Sequence, residues 1–128
     1  MARFLAPDWF DEMAALGSQH APFDGVSARV EIVVSGGPDG DVKGELVLDG
    51  GRVTEARAGA ATGADLTMTF DYATAAEIQQ GTLDPSVAFM QGRSKAAGDT
   101  GVLLQLLPLT RTDAYRAWRD KVSATTEF

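Results

Sequence analysis

Apolar positions recur along this chain at two spacings, the helical one of about 3.6 residues and the strand spacing of two. Trp9, Met13 and Leu16 share one face at the helical spacing. Asp8 reads as the N-cap of that helix, Asp11 and Glu12 favour its positive end, and Gly17 ends it. Ser18 to Gly25 is a polar loop that contains the one histidine, His20. Strict alternation follows: Val26, Ala28, Val30, Ile32 and Val34 on one face, Ser27, Arg29 and Glu31 on the other. Gly36-Gly-Pro-Asp-Gly is a turn, so Val42 to Leu48 should return antiparallel, with Val42, Leu46 and Leu48 facing inward. Asp49-Gly-Gly turns the chain again into Arg52 to Ala58, where Ala56 and Ala58 point in and Glu55 and Arg57 point out. Beyond the glycine-alanine run Gly59 to Ala64, Asp65 to Phe70 makes a strand buried through Leu66, Met68 and Phe70.

The second half alternates caps and short elements. Asp71 caps a helix from Tyr72 to Gln80 that Gly81 closes. Asp84-Pro85 supplies an N-cap carboxylate and a proline at the first helical position, where its missing N–H costs nothing. Gly92 stops that helix after Phe89 and Met90. In the strand that follows, Arg93, Lys95 and Ala97 lie on one side and Ser94, Ala96 and Gly98 on the other. Charges face water, so here the small residues face inward, against the usual preference for branched or aromatic side chains. Asp99-Thr100 caps a segment carrying Val102, Leu103, Leu104, Leu106 and Leu107, too apolar for a single buried stripe. Pro108 breaks the chain, and Arg111-Thr112-Asp113 opens a last helix striped by Tyr115, Trp118 and Val122. The class is α+β: mostly antiparallel sheet with helices on one face, in a single domain over residues 1–128.

From Gly81 to Leu109 the order is Gly, Leu-Asp-Pro, Ala-Phe, Gln-Gly, basic strand, Gly, leucine-rich helix. Together with Asp65-Leu-Thr-Met-Thr-Phe before it, this stretch closely resembles the sterol carrier protein type-two domain family. The matching positions include Gly81, Leu83, Asp84, Pro85, Ala88, Phe89, Gln91, Gly92, Lys95 and Gly98, over about a third of the chain. The resemblance implies a five-stranded sheet covered by helices that enclose an apolar tunnel. In that family the tunnel holds a fatty acid, fatty acyl-CoA, phospholipid or sterol without chemical change. Ser94 and Ala96 depart from the family, which usually has bulky aliphatics there.

Composition narrows the remaining chemistry. At 128 residues with 45% hydrophobic and 23% charged, the chain has the balance of a globular domain with a real core. Its net charge of -7 opposes attraction to nucleic acid and to anionic membranes. With no cysteine, thiolate catalysis and cysteine metal sites are excluded. No apolar run reaches the roughly twenty residues of a membrane helix, and the short, soon-acidic N-terminus does not read as a signal peptide. A cytoplasmic location is expected.

A nucleophilic triad would have to join His20 to Ser18 or Ser27, and neither serine sits in a strand-turn-helix elbow. One imidazole among scattered carboxylates offers no metal-ligand spacing, so no metal or cofactor is expected. The glycine pairs lie in hairpin turns and do not cradle phosphate. Arg93, Lys95, Arg111, Arg116, Arg119 and Lys121 cluster locally, but pairs such as Arg116 and Asp120, four apart on a helix, are common and weak.

The inward-small set Ala56, Ala58, Ser94, Ala96 and Gly98 has two readings. Helices pack close to the sheet there, or a hollow is left beneath the large side chains opposite. The resemblance favours the hollow. It implies an apolar ligand site built from Trp9, Met13, Ile32, Leu46, Ala56, Met68, Phe70, Phe89, Met90, Ser94, Ala96, Leu103, Leu106, Leu107 and Trp118, with the last helix covering one end. The partner is then a small hydrophobic ligand, with no nucleic acid, at most transient membrane contact, and room for a homodimer. Two other classes stay open: a small α+β enzyme of steroid isomerase type, which needs a buried base and an oxyanion donor, and an accessory or dimerisation module with a vestigial cavity.

Overall fold

The alternating stretches assemble into one sheet. The computed structural model describes residues 2–17, 27–38, 40–49, 52–59 and 63–127. The strands β2 (Ala28–Gly37), β3 (Gly40–Asp49), β4 (Arg52–Ala58), β5 (Leu66–Asp71) and β6 (Ser94–Gly98) lie in the order β4-β3-β2-β5-β6. All pairings are antiparallel except β2 with β5, which run parallel at the centre, so the sheet is mixed. The register sets Val30 beside Leu46 and Leu66, and Ile32 beside Gly44 and Met68, so the apolar set of every strand shares one face. Arg29, Glu31, Glu45, Arg57 and Thr67 share the other. On that face Glu45 is buried and held between two arginines, with Arg29 and Arg57 each 3.2 Å away.

Alternation fails in one place. An extra residue in β4, Thr54, lets Glu55 pair with Val47 and Val53 with Leu48. This bulge turns Val53 into the core beside Leu48. Ala58 pairs with Gly44 on the inner face, yet it is exposed at the end of this edge strand.

Five described helices cover the inner face: α1 (Pro7–Gly17), α2 (Tyr72–Gln80), α3 (Pro85–Met90), α4 (Thr100–Leu109) and α5 (Asp113–Ala124). Asp71, Asp84, Asp99 and Thr112 cap the last four, each side chain accepting a backbone N–H of the first turn. Gly81 closes α2 in the left-handed conformation at φ 83°, as glycine readily does. Two boundaries differ from the pattern-based reading. Pro7 rather than Asp8 opens α1, with the Ala6 carbonyl accepting the first helical N–H. Pro108 does not break α4 but sits in its last turn. The carbonyl that Pro108 leaves unpaired belongs to Leu104, which is exposed to water.

The chain termini contribute what local pattern could not show. β1 (Ala2–Arg3) pairs in parallel with β7 (Thr126–Glu127), and Phe4 and Leu5 beyond it are buried. Leu5 holds a left-handed backbone, φ 66°, which costs a non-glycine residue about 1–2 kcal/mol, and packing of its side chain in the core offsets this. The Trp9 indole N–H donates to Thr126 Oγ1 at 3.1 Å, so α1 and the C-terminus close on each other. Beneath α1, Phe10 is fully buried against Gly44, where an added Cβ would fall 2.4 Å from the ring. None of the described helices is long and apolar enough to cross a membrane.

Candidate functional site: an apolar cavity between sheet and helices

The helices do not fill the space above the sheet. A cavity of about 210 Å³ remains, many times the 10–15 Å³ or so that one water requires. Its floor is the centre of the sheet: Val30, Ile32 and Val34 of β2, Leu46 and Leu48 of β3, Met68 and Phe70 of β5, and Val53 turned in by the bulge. Trp9 and Met13 of α1 form one wall, with Phe4 and Leu5 behind them. Ala75 and Ile78 of α2 and Leu103, Leu106 and Leu107 of α4 form the others. Tyr115 and Trp118 of α5 cover one end.

Why the space stays open is visible in the ties around it. The Trp118 indole N–H donates to the Met13 carbonyl at 3.1 Å, fixing α5 on α1. The Gln79 amide donates to the Arg119 carbonyl at 3.4 Å, fixing α2 on α5, and Ser86 Oγ donates to the Leu107 carbonyl at 3.4 Å, fixing α3 on α4. Aromatic edges stack along the α1 side, Phe4 on Trp9 and Trp9 on Phe10, with centroids 5.0 Å apart in each pair. The helices are thereby propped on one another and do not collapse onto the strands.

Of the residues expected at an apolar site, Trp9, Met13, Ile32, Leu46, Met68, Phe70, Leu103, Leu106, Leu107 and Trp118 line this cavity. Five others do not. Met90 is 74% exposed, on the outer side of a six-residue helix. Phe89 and Ala96 pack instead against a second cluster of Ala28, Leu66, Val102 and Leu103. Ser94 is buried with an unpartnered hydroxyl, and Ala56 packs on the main core, but neither reaches the wall. The inward side of β6 was thus readable, while its place at the sheet edge puts it beside the hollow, under α4. Pattern reasoning missed Gln79 and Thr110 on the wall, whereas Tyr115 was expected with Trp118 at one end of the cavity and lines it.

Among the described residues, Tyr115 is the one ionisable side chain on the wall. Burial pushes its phenol up to about 12, with Arg119 opposing and Asp84 adding to the shift, so the hydroxyl stays protonated at neutral pH. Four of the six clustered basic side chains are in ion pairs. Arg93 meets Glu77, Arg111 meets Asp84, and Arg119 meets Asp120. Arg116 takes Asp113 as its partner in place of Asp120. The candidate serine Ser27 is exposed and donates to Asp49 at 3.4 Å, whereas Ser18 and His20 lie outside the described residues. No group of three metal-ligating side chains occurs among the described residues.

The same architecture is found in solved structures. The crystal structure of sterol carrier protein 2 superposes with a TM-score of 0.74 at 20% identity, covering 92% of this chain and 98% of that one. The solution structure of palmitated sterol carrier protein 2-like 2 from Aedes aegypti gives 0.64 at 18% identity, over 81% of this chain and 92% of its own. A double mutant of a sec-alkyl sulfatase gives 0.55 at 27% identity, over 81% of this chain but 16% of the enzyme. The sequence has no match among curated proteins. The model of the SCP-2 sterol transfer family matches residues 11–111, and this chain therefore belongs to that family.

Proposed function

We propose that the protein binds a lipid-like molecule non-covalently in the apolar cavity and releases it unchanged. The observation that carries this reading is a hollow with almost wholly apolar walls between the sheet and helices that are hydrogen-bonded to one another. Family membership and the palmitated relative support an acyl chain or sterol as occupant. The driving force is transfer of hydrocarbon out of water. Burying about 300 Å² at roughly 25 cal/mol per Å² supplies about 7–8 kcal/mol, the scale of a micromolar Kd. Trp9, Met13, Ile32, Leu46, Met68, Phe70, Leu103, Leu106, Leu107 and Trp118 contact the chain in this account, joined by Val30, Ile78 and Tyr115. Entry requires α5 to swing from its Thr110–Thr112 end, since its far end is held by Trp118 and by the β1–β7 pair. Cytoplasmic residence, with transient contact at a membrane for loading, is part of the proposal.

A non-catalytic role is supported by the chemistry of the wall. Isomerase chemistry on an apolar substrate needs a base beside the substrate, and the ionisable side chain among the described residues of the wall is a phenol held protonated. The sulfatase similarity favours a second reading, a module that serves a larger enzyme. Native mass spectrometry of freshly purified protein separates the two. A co-purified lipid of defined mass supports the carrier, and a uniformly empty protein that also refuses added fatty acids supports the module.

A further inference from the structure

The wall is apolar except at one end, where α2, the α4–α5 turn and α5 meet. There Gln79, Thr110 and Tyr115 line the cavity together. Gln79 is buried, and its N–H holds the carbonyl of Arg119, which follows Tyr115 by one helical turn. Thr110 Oγ1 donates to the Leu107 carbonyl at 2.7 Å, which leaves its lone pairs free to accept. The Tyr115 hydroxyl makes no hydrogen bond with the described residues. The two indole N–H groups of the wall are already committed, Trp9 to Thr126 and Trp118 to Met13. This end therefore offers a phenolic donor, a spare amide N–H, and the oxygens of Gln79 and Thr110 as acceptors.

The charges nearby are matched within the protein. Arg119 lies 3.0 Å from Asp120, Arg111 lies 3.8 Å from Asp84, and Asp84 accepts the Ser86 N–H at 2.7 Å. No lysine, arginine or histidine is among the described residues of the wall. A carboxylate or phosphate placed here would lose its water and find the nearby cation, Arg119, already paired with Asp120. A hydroxyl would both accept from Tyr115 and donate to Gln79 or Thr110.

Resting on the lipid-binding reading above, we infer that the polar end of the cavity selects an uncharged hydroxyl headgroup, the terminus of a long-chain alcohol or sterol, over an ionised one. The test uses dodecanol, dodecane and dodecanoate as competitors for a cavity-bound fluorescent probe, at a pH well above the ordinary carboxyl value of about 4. Dodecanol is expected to bind about tenfold more tightly than dodecanoate, the yield of one or two good hydrogen bonds and an avoided buried charge. Tyr115→Phe should lower dodecanol affinity about fivefold to tenfold and leave dodecane unchanged within a factor of about two. Thr110→Val repeats the comparison should the first variant lose its circular dichroism. Dodecanoate binding as tightly as dodecanol, or both variants keeping the full preference for alcohol, overturns the inference while the lipid-binding reading stands. Failure of all three probes to compete overturns both.

Discussion

The indole N–H of Trp118 and the carbonyl of Met13 meet at 3.1 Å across 105 residues of sequence, and both side chains line the cavity. The contact that holds the last helix in place is therefore also part of the site. Trp118→Phe keeps an aromatic ring but deletes the N–H that ties α5 to α1, which should cost about 0.5–1.5 kcal/mol. Urea unfolding measures this, and an unchanged midpoint would show that the clamp contributes nothing to stability.

Gly44 is fixed by packing rather than by backbone conformation. An alanine methyl there would lie 2.4 Å from two carbons of the Phe10 ring, which is fully buried and cannot swing aside. Gly44→Ala should lower stability by about 1–3 kcal/mol or more through overpacking. A melting point equal to the parent's would mean that α1 shifts freely over β3.

The sequence made some of this legible and hid the rest for physical reasons. Caps at Asp71, Asp84, Asp99 and Thr112 are local chemistry, settled within three residues, and the helices begin where those residues stand. The inner faces of β2 and β5 followed from alternation alone. Pairing of Ala2 with Thr126 did not, because a two-residue strand carries no period and its partner lies at the other end of the chain. Val53 was hidden by the bulge at Thr54, which resets the alternation. Met90 shows the limit of a short helix: six residues make less than two turns, so no stripe tells which side is buried. The small side chains of β4 and β6 were read as marking the hollow, yet both are edge strands of the sheet, and small side chains mark close helix approach as readily as empty space.

Ala75 and Ala96 distinguish those two situations. Ala75 borders the cavity, so Ala75→Leu extends into open volume and should hold or raise the melting point, at about 0.8 kcal/mol per buried methylene. The same change should weaken binding of a fluorescent fatty acid, whose place it takes. Ala96 packs against Leu66, Val102 and Leu103, so Ala96→Leu should cost about 1–3 kcal/mol and leave affinity nearly intact. Reversed outcomes for the pair would relocate the cavity to β6.

Asp71 gives a pH signature. Its carboxyl lies below the ordinary value of 3.8, chiefly through the Thr74 backbone N–H at 2.7 Å, then the Thr74 side chain, with Arg93 adding a smaller pull. A depressed folded value stabilises above the unfolded one and is lost as pH falls through the folded one. Asp71→Asn keeps a capping side chain but removes the charge. The parent should therefore be slightly more stable than the variant at neutral pH, with the gap closing as pH drops below 3.8. Because Asp71 is exposed, salt should narrow the gap. A gap that persists unchanged in strong acid would contradict the assignment.

The central claim is that a hydrocarbon chain lies between α1, α5 and the sheet. The chain has two tryptophans, Trp9 and Trp118, and both line the cavity. Titration with an acyl chain brominated along its length, read by tryptophan emission, tests the claim directly. The account predicts saturable quenching of nearly all the emission, with one chain per protein and a Kd on the micromolar scale. Saturable binding that leaves tryptophan emission unquenched would place the lipid elsewhere and contradict the account.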